Sequence, residues 1–441
     1  MERLAEDPGI LDPLERKTRA WVRVSLQGRS LTRAWHKSDG TERDDLCLPA
    51  FPIVRWIVTN WWALLHEARP TEKDPVWSES PAIQDWLRRH SLRTIDSSLL
   101  LPNLRIYGDG RLTRIVCLPD SLEESLGLGC QFTQKIAITL PTDEVRSALD
   151  LCVRKVLGWL DGVEDEEVRS MRADWEAIQQ ASPEEFSFCC AAGRLGLDPY
   201  ACTEWPQGLT NWVAEGLGDH IGSDFGMDFL DAFSGEGDKA REAWGWVQGA
   251  MSIHHLSHFP RKFKCELSHG MAPHQLGYQR AREFREKTSQ SPADSITDVQ
   301  DIFRLLVGNK LHFENYNHKP ASRVDAAIGW KKDVPWLVGP QKKQETHQRF
   351  LEARAIYHVL HACGRGPRLL TGTSTSEQQA GRAFAAELLA PMEGLREKWD
   401  AAMPRGVDDA ASEKFCNKMS RHFRVSTTVI RHQIENTAWE R

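Results

Sequence analysis

Between residues 51 and 66, Ile53, Trp56, Ile57, Asn60, Trp61 and Leu64 fall on one face at helical spacing. The stretch before it behaves differently. Residues 19–37 alternate in part through Trp21-Val22-Arg23-Val24-Ser25-Leu26, then turn at Gln27-Gly28 toward Leu31-Thr32-Arg33-Ala34-Trp35. That pattern predicts a β-hairpin. A second hairpin is predicted over 104–107 and 112–118, with Asp109-Gly110 as the turn. A strand over 135–140 and a helix over 143–160 follow, so residues 1–160 read as a Trp-rich α+β domain with an antiparallel sheet. Residues 1–17 are charged and read as a terminal arm.

An acidic break at 161–166 opens a helical stretch that reaches about 259, giving a helical domain over 161–270. Ser182-Pro183-Glu184-Glu185 is a helix start, with Ser as cap and Pro in the first turn. The Gly-rich stretch 208–226 is expected to be irregular. The last unit, 271–441, opens with helices over 274–287 and 296–306, short strands near 312–313 and 334–338, and then two further helices. The expected class is therefore α+β and multidomain, with a mainly helical C-terminal domain.

Composition narrows the setting. A net charge of -6 over 441 residues is no global footprint for nucleic acid. Ten cysteines form no CxxC pair and residues 1–15 carry no signal-peptide core, which predicts a cytoplasmic protein with reduced thiols. No apolar run approaches the roughly eighteen residues that span a bilayer, so no membrane partner is expected. Seventeen tryptophans imply bulky cores or interfaces.

Two segments carry the candidate chemistry. One reads Arg349-Phe350-Leu351-Glu352-Ala353-Arg354-Ala355-Ile356-Tyr357-His358-Val359-Leu360-His361. The other runs from Glu377-Gln378-Gln379-Ala380 through Phe384-Ala385-Ala386-Glu387-Leu388-Leu389-Ala390-Pro391. Together they resemble the core of the ImmA/IrrE metallo-endopeptidase family, an HExxH helix followed by an E-x-x-A and FAAELLxP helix. The resemblance extends to 273–285 ahead and 423–430 behind, covering roughly 273–436. It implies a zincin-like C-terminal domain. The residues before about 270 have no counterpart in the minimal family, although Trp56-Ile57-Val58-Thr59-Asn60-Trp61-Trp62 looks like a tract of longer members.

HExxH works because two histidines one turn apart bind zinc on one helix face, while the glutamate takes a proton from the metal-bound water. Here Arg354 stands for the first histidine and Ala355 for the glutamate; only His358 survives. A guanidinium cannot ligate zinc and repels it. The old third ligand falls between Glu377 and Glu387, and Arg354 is expected to fill the metal position and pair with one of them. No cofactor is expected.

The resemblance thus implies a domain that binds rather than cuts. Family members that cut act on repressors of mobile-element or stress-response genes. A degenerate relative is expected to be a regulatory, sensing or scaffold component with a protein partner, in a bacterial stress, mobile-element, toxin–antitoxin or phage-defence system. Two alternatives stay open. One is a zinc endopeptidase with a rearranged ligand set of His358, His361 and Glu387. The other is a DNA-binding regulator: residues 415–436 have helix–turn–helix rhythm, with Val429, Ile430 and Ile434 inward and Arg424, Arg431, His432 and Gln433 outward toward nucleic acid.

Smaller signals have bland explanations. His254 and His258 are one turn apart but lack a third ligand, and polar helix-end histidines suffice. The basic clusters at 261–264, 331–332 and 342–343 read as solvated faces. Cys189-Cys190 sits among apolar residues and reads as core. No P-loop, Rossmann glycine pattern or GxSxG is present.

Overall fold

The structure is a computed structural model that describes residues 1–6, 9–10, 12–70, 81–121, 129–205, 207–254, 256–257, 271–316, 323–361, 366–402 and 409–438. It is α+β and divides into two compact units. The first comprises Met1–Ile221 and Ser234–Gly237; the second comprises Gly222–Phe233 and Asp238–Arg441. The stretch 161–270 is distributed over both. Helices Glu166–Gln180 and Pro183–Arg194 belong to the first unit, and Asp224–Ala232 and, apart from its first residue, Gly237–His254 to the second.

In the first unit, Asn103–Gly108, Leu112–Leu118 and Ile136–Pro141 form an antiparallel sheet. Its tight turn is the expected Asp109-Gly110: the Asp109 carboxylate accepts from the amides of Arg111 and Leu112, and Gly110 sits at φ +85°. The Gln27-Gly28 turn also forms, with both residues at positive φ. It joins only the short strands Ser25–Leu26 and Arg29–Ser30. The flanking strands separate instead. Arg19–Val22 pairs with Leu46–Pro49, and Ala34–His36 pairs with Thr41–Arg43 and Cys130–Phe132. The hydroxyls of Ser30 and Thr32 both donate to the carbonyl of Asp44, which fixes this rearrangement.

The apolar stretch near residue 57 is two helices, Phe51–Thr59 and Trp61–His66, rather than one. Asn60 breaks it: its backbone leaves the helical region, and its side-chain amide donates to the Trp56 carbonyl. Both helices are buried on almost every side, so Trp56, Trp61 and Trp62 are core residues. Trp61 meets Trp175 edge-on with ring centroids 5.0 Å apart.

The second unit holds a four-stranded sheet in the order His312–Asn315, Val334–Gly339, Val324–Lys331, Arg368–Thr371. The first pair is parallel and the others are antiparallel. Val324–Lys331 and Arg368–Thr371 escape the sequence reading because their apolar runs are short and do not alternate. Helix Glu345–His361 packs on the sheet, and helix Ser376–Leu389 packs against that helix; these two carry the candidate segments. Pro273–Lys287 packs along Ser376–Leu389 so tightly that a Cβ on Gly277 would lie 2.3 Å from the Ala380 carbonyl oxygen. Arg285 locks the same pair of helices by donating to the carbonyls of Leu388, Asp294 and Ser291. Among the described residues no helix is long and apolar enough to cross a membrane.

Candidate functional site

Helix Glu345–His361 is buried on most of its circumference, which leaves its polar residues to find partners inside the protein. Arg354 is 5% exposed. It donates to the Asp325 carboxylate at 2.8 Å, to the Thr371 carbonyl at 2.5 Å and to the Gln378 side-chain oxygen at 3.0 Å. Asp325 also accepts from the Lys342 ammonium at 2.9 Å. Burial alone would raise the Asp325 carboxyl, but the Arg354 and Lys342 cations outweigh it and hold the group below the ordinary carboxylate range. Gln378 anchors the arrangement: it accepts from the Thr371 amide at 3.1 Å and donates to the Leu369 carbonyl at 2.6 Å. Ala355 is fully buried and offers no base.

This corrects the expected pairing of Arg354 with Glu377 or Glu387. Glu377 lies 4.0 Å from Arg368, whose guanidinium grips Asp228 through two bonds of 2.6 and 2.7 Å. Glu387 accepts from Arg282 at 2.9 Å, from the Met392 amide at 3.1 Å and from Gln433 at 3.1 Å. The counter-charge of Arg354 comes instead from the sheet, at the second residue of Val324–Lys331. A lone acid ahead of the apolar run Ala326-Ala327-Ile328 was the available signal for Asp325. Lys342, expected on a solvated basic face, is half-buried and paired with Asp325 instead; Gln378 stood in the motif with no role assigned, and Arg382 carried no signal.

His358 is buried, and neither ring nitrogen has a hydrogen-bond partner among the described residues. Burial, reinforced by the nearby Arg368, Arg354 and Arg382 cations, pushes its protonation well below the ordinary range, so the ring is neutral. Gly381 makes room for it: a Cβ there would come 3.1 Å from Nε2. His361 packs against Phe384 and Tyr357, and burial pulls it down to about 4. The rearranged zinc set is not assembled. Among the described residues no group of three or more His, Cys, Asp or Glu is placed to hold a metal ion. The Glu387 oxygens are taken by Arg282, Met392 and Gln433, and His358 faces guanidinium charge. Zinc does not fit these residues.

The C-terminal helices are Asp409–Phe423 and Thr427–Ala438, joined at Arg424 with φ +52°. Phe423, Val425 and Ile430 are buried, and Val429 and Ile434 pack against the same core. Gln433 is fully buried and bonds Glu387 and the Ala390 carbonyl, so it is a packing residue and cannot read a groove. Arg424 pairs with Glu345, and Arg431 approaches Glu413 at 3.8 Å. His432 lies beside Glu435 at 3.4 Å. Cys189 and Cys190 are core residues whose thiols burial pushes up to about 12. Of the other sequence signals, His254 ends its helix, while His255, His258 and the cluster 261–264 lie outside the described residues.

In front of Arg354 opens a cleft of about 560 Å³, lined among others by Asp325, Lys342, Arg382, Tyr278, Phe350 and Val429. It is the site the geometry offers. Comparison of the chain with family models, with curated proteins and with solved structures gives no match.

Proposed function

We propose that the second unit is a non-hydrolytic, peptidase-like binding domain. On this reading the protein is a regulatory, sensing or scaffold component of a bacterial stress, mobile-element or phage-defence system, where it engages a protein partner. The observation that supports it is the Arg354 arrangement. A permanent cation stands where the first metal ligand of HExxH would stand, and its two terminal nitrogens donate to Asp325, Thr371 and Gln378. The helix position next to it carries Ala355, so no proton acceptor replaces the lost glutamate. The surviving His358 is sealed, neutral and surrounded by guanidinium charge. These features remove the ligand, the base and the room for a cation together.

The test is a proteolysis assay. Full-length protein is incubated with denatured casein in zinc-supplemented buffer, alongside the His358→Ala variant. The reading expects no cleavage above buffer in either sample. Cleavage by the wild type that disappears in His358→Ala and with chelator would overturn it.

A further inference from the structure

The charges around the cleft do not balance. Its lining carries three fixed cations, Arg354, Arg382 and Lys342, and one carboxylate, Asp325, among the described residues. Asp325 is shared, one oxygen to Arg354 and the other to Lys342. Among the described residues Arg382 has no carboxylate partner: its guanidinium donates to two backbone carbonyls, Thr373 at 2.6 Å and Thr371 at 3.3 Å. The Thr371 oxygen also accepts from Arg354 at 2.5 Å, so two guanidiniums converge on one carbonyl. Burial, and then the Arg354 charge, draw the Arg382 guanidinium down to about 9, which leaves it charged at neutral pH but poorly compensated. Arg354 is buried, and Arg382 and Lys342 are half-buried at the cleft, so an anion entering it would complete their charge.

From this geometry we infer that the cleft binds a small phosphomonoester, with its phosphate held by Arg382, Arg354 and Lys342. The inference rests on the non-hydrolytic reading of the same site. A phosphomonoester carries close to two negative charges near pH 7, matching the excess of two cations, whereas a single carboxylate would leave one unmet. Guanidinium forks suit phosphate oxygens. Among the other lining residues Tyr278, Phe350, Leu351 and Val429 supply apolar and aromatic surface that would hold the organic part of the ligand, beside polar residues such as His274 and His347. A volume of about 560 Å³ suits a small molecule.

The experiment is isothermal titration of the full-length protein with AMP, adenosine and inorganic phosphate as probes. AMP is expected to bind, phosphate to bind more weakly, and adenosine to give no heat. Arg382→Gln should weaken AMP binding about ten- to a hundredfold. Lys342→Gln, at a half-buried site, should weaken it several-fold without loss of fold by circular dichroism, which keeps the test valid if Arg382→Gln is unstable. Adenosine binding as well as AMP, AMP binding unchanged in both folded variants, or no heat from AMP and phosphate alike would overturn the inference. Binding confined to a 5′-phosphorylated oligonucleotide would also overturn it, in favour of a nucleic-acid end. Zinc content measured on the same sample separates the two ideas. Missing heat from a zinc-free protein removes only the ligand, whereas stoichiometric zinc removes the non-hydrolytic reading itself.

Discussion

Arg354→Met removes the cation at the centre of the site while roughly keeping its volume. Deleting one member of a buried ion pair costs about 3–5 kcal/mol when the other is left stranded. Here Asp325 is 36% exposed and keeps Lys342, so solvent screening lowers the expected cost to about 2 kcal/mol. The other acceptors are not abandoned: Thr371 keeps Arg382, and Gln378 keeps the Thr371 amide. For a unit of this size, about 2 kcal/mol corresponds to a loss of roughly 4–8 °C in the unfolding midpoint. Tryptophan-detected urea and thermal unfolding measure it. The effect should depend on pH in one direction. The folded Asp325 carboxyl lies below its unfolded value, so its contribution is complete above an unfolded value of about 3.9 and fades as pH falls through the folded one. The gap between wild type and Arg354→Met should therefore shrink below about pH 4. Asp325→Asn combined with Arg354→Met should cost less than the sum of the single changes. A gap under about 0.5 kcal/mol, a gap independent of pH, or strict additivity would refute the assigned pair.

Three further outcomes follow from the structure. Glu67 is buried against Arg89 at 2.6 Å and His90 at 2.9 Å; burial opposes its ionisation, but Arg89 prevails and its carboxyl is pulled down to about 2. Its stabilisation is thus complete above an unfolded value of about 4.3 and lost as pH falls toward 2, and Glu67→Gln should cost about 3 kcal/mol at pH 7 in urea unfolding, with a near-neutral result contradicting the pair. Gly277→Ala places a Cβ 2.3 Å from the Ala380 oxygen and 2.7 Å from the Ala383 Cβ, so it should destabilise by at least about 1–3 kcal/mol; an unchanged thermal midpoint would show that the two helices are not so close. Gln433→Ala removes bonds to Glu387 and Ala390 and should cost about 1–2 kcal/mol while leaving any salt-sensitive DNA retention unchanged; the reverse pattern would return Gln433 to a groove-reading role.

Local chemistry explains which parts of the fold were legible. The Asp109-Gly110 hairpin was readable because its turn is encoded in adjacent residues. The buried helices near Trp56 and Trp61 were readable because their periodicity is strong, although the Asn60 break depends on one side-chain bond to Trp56. The strand partners of residues 19–37 were not readable, because the hydroxyl bonds to Asp44 that decide them are long-range. The site divides in the same way. The departure from HExxH is written in Arg354 and Ala355 themselves. The counter-ion of Arg354 is not, since Asp325 lies 29 residues away in sequence on a strand with no alternating pattern. Glu377 and Glu387 were plausible partners by motif alone, yet Glu377 lies beside Arg368 and Glu387 pairs with Arg282.

On the proposed reading Arg354 occupies the place a metal would take. Metal analysis of the full-length protein after equilibration with excess zinc and desalting tests it most directly. The account predicts well under one zinc per chain, unchanged in His358→Ala. One zinc per chain, lost in His358→Ala, would contradict it.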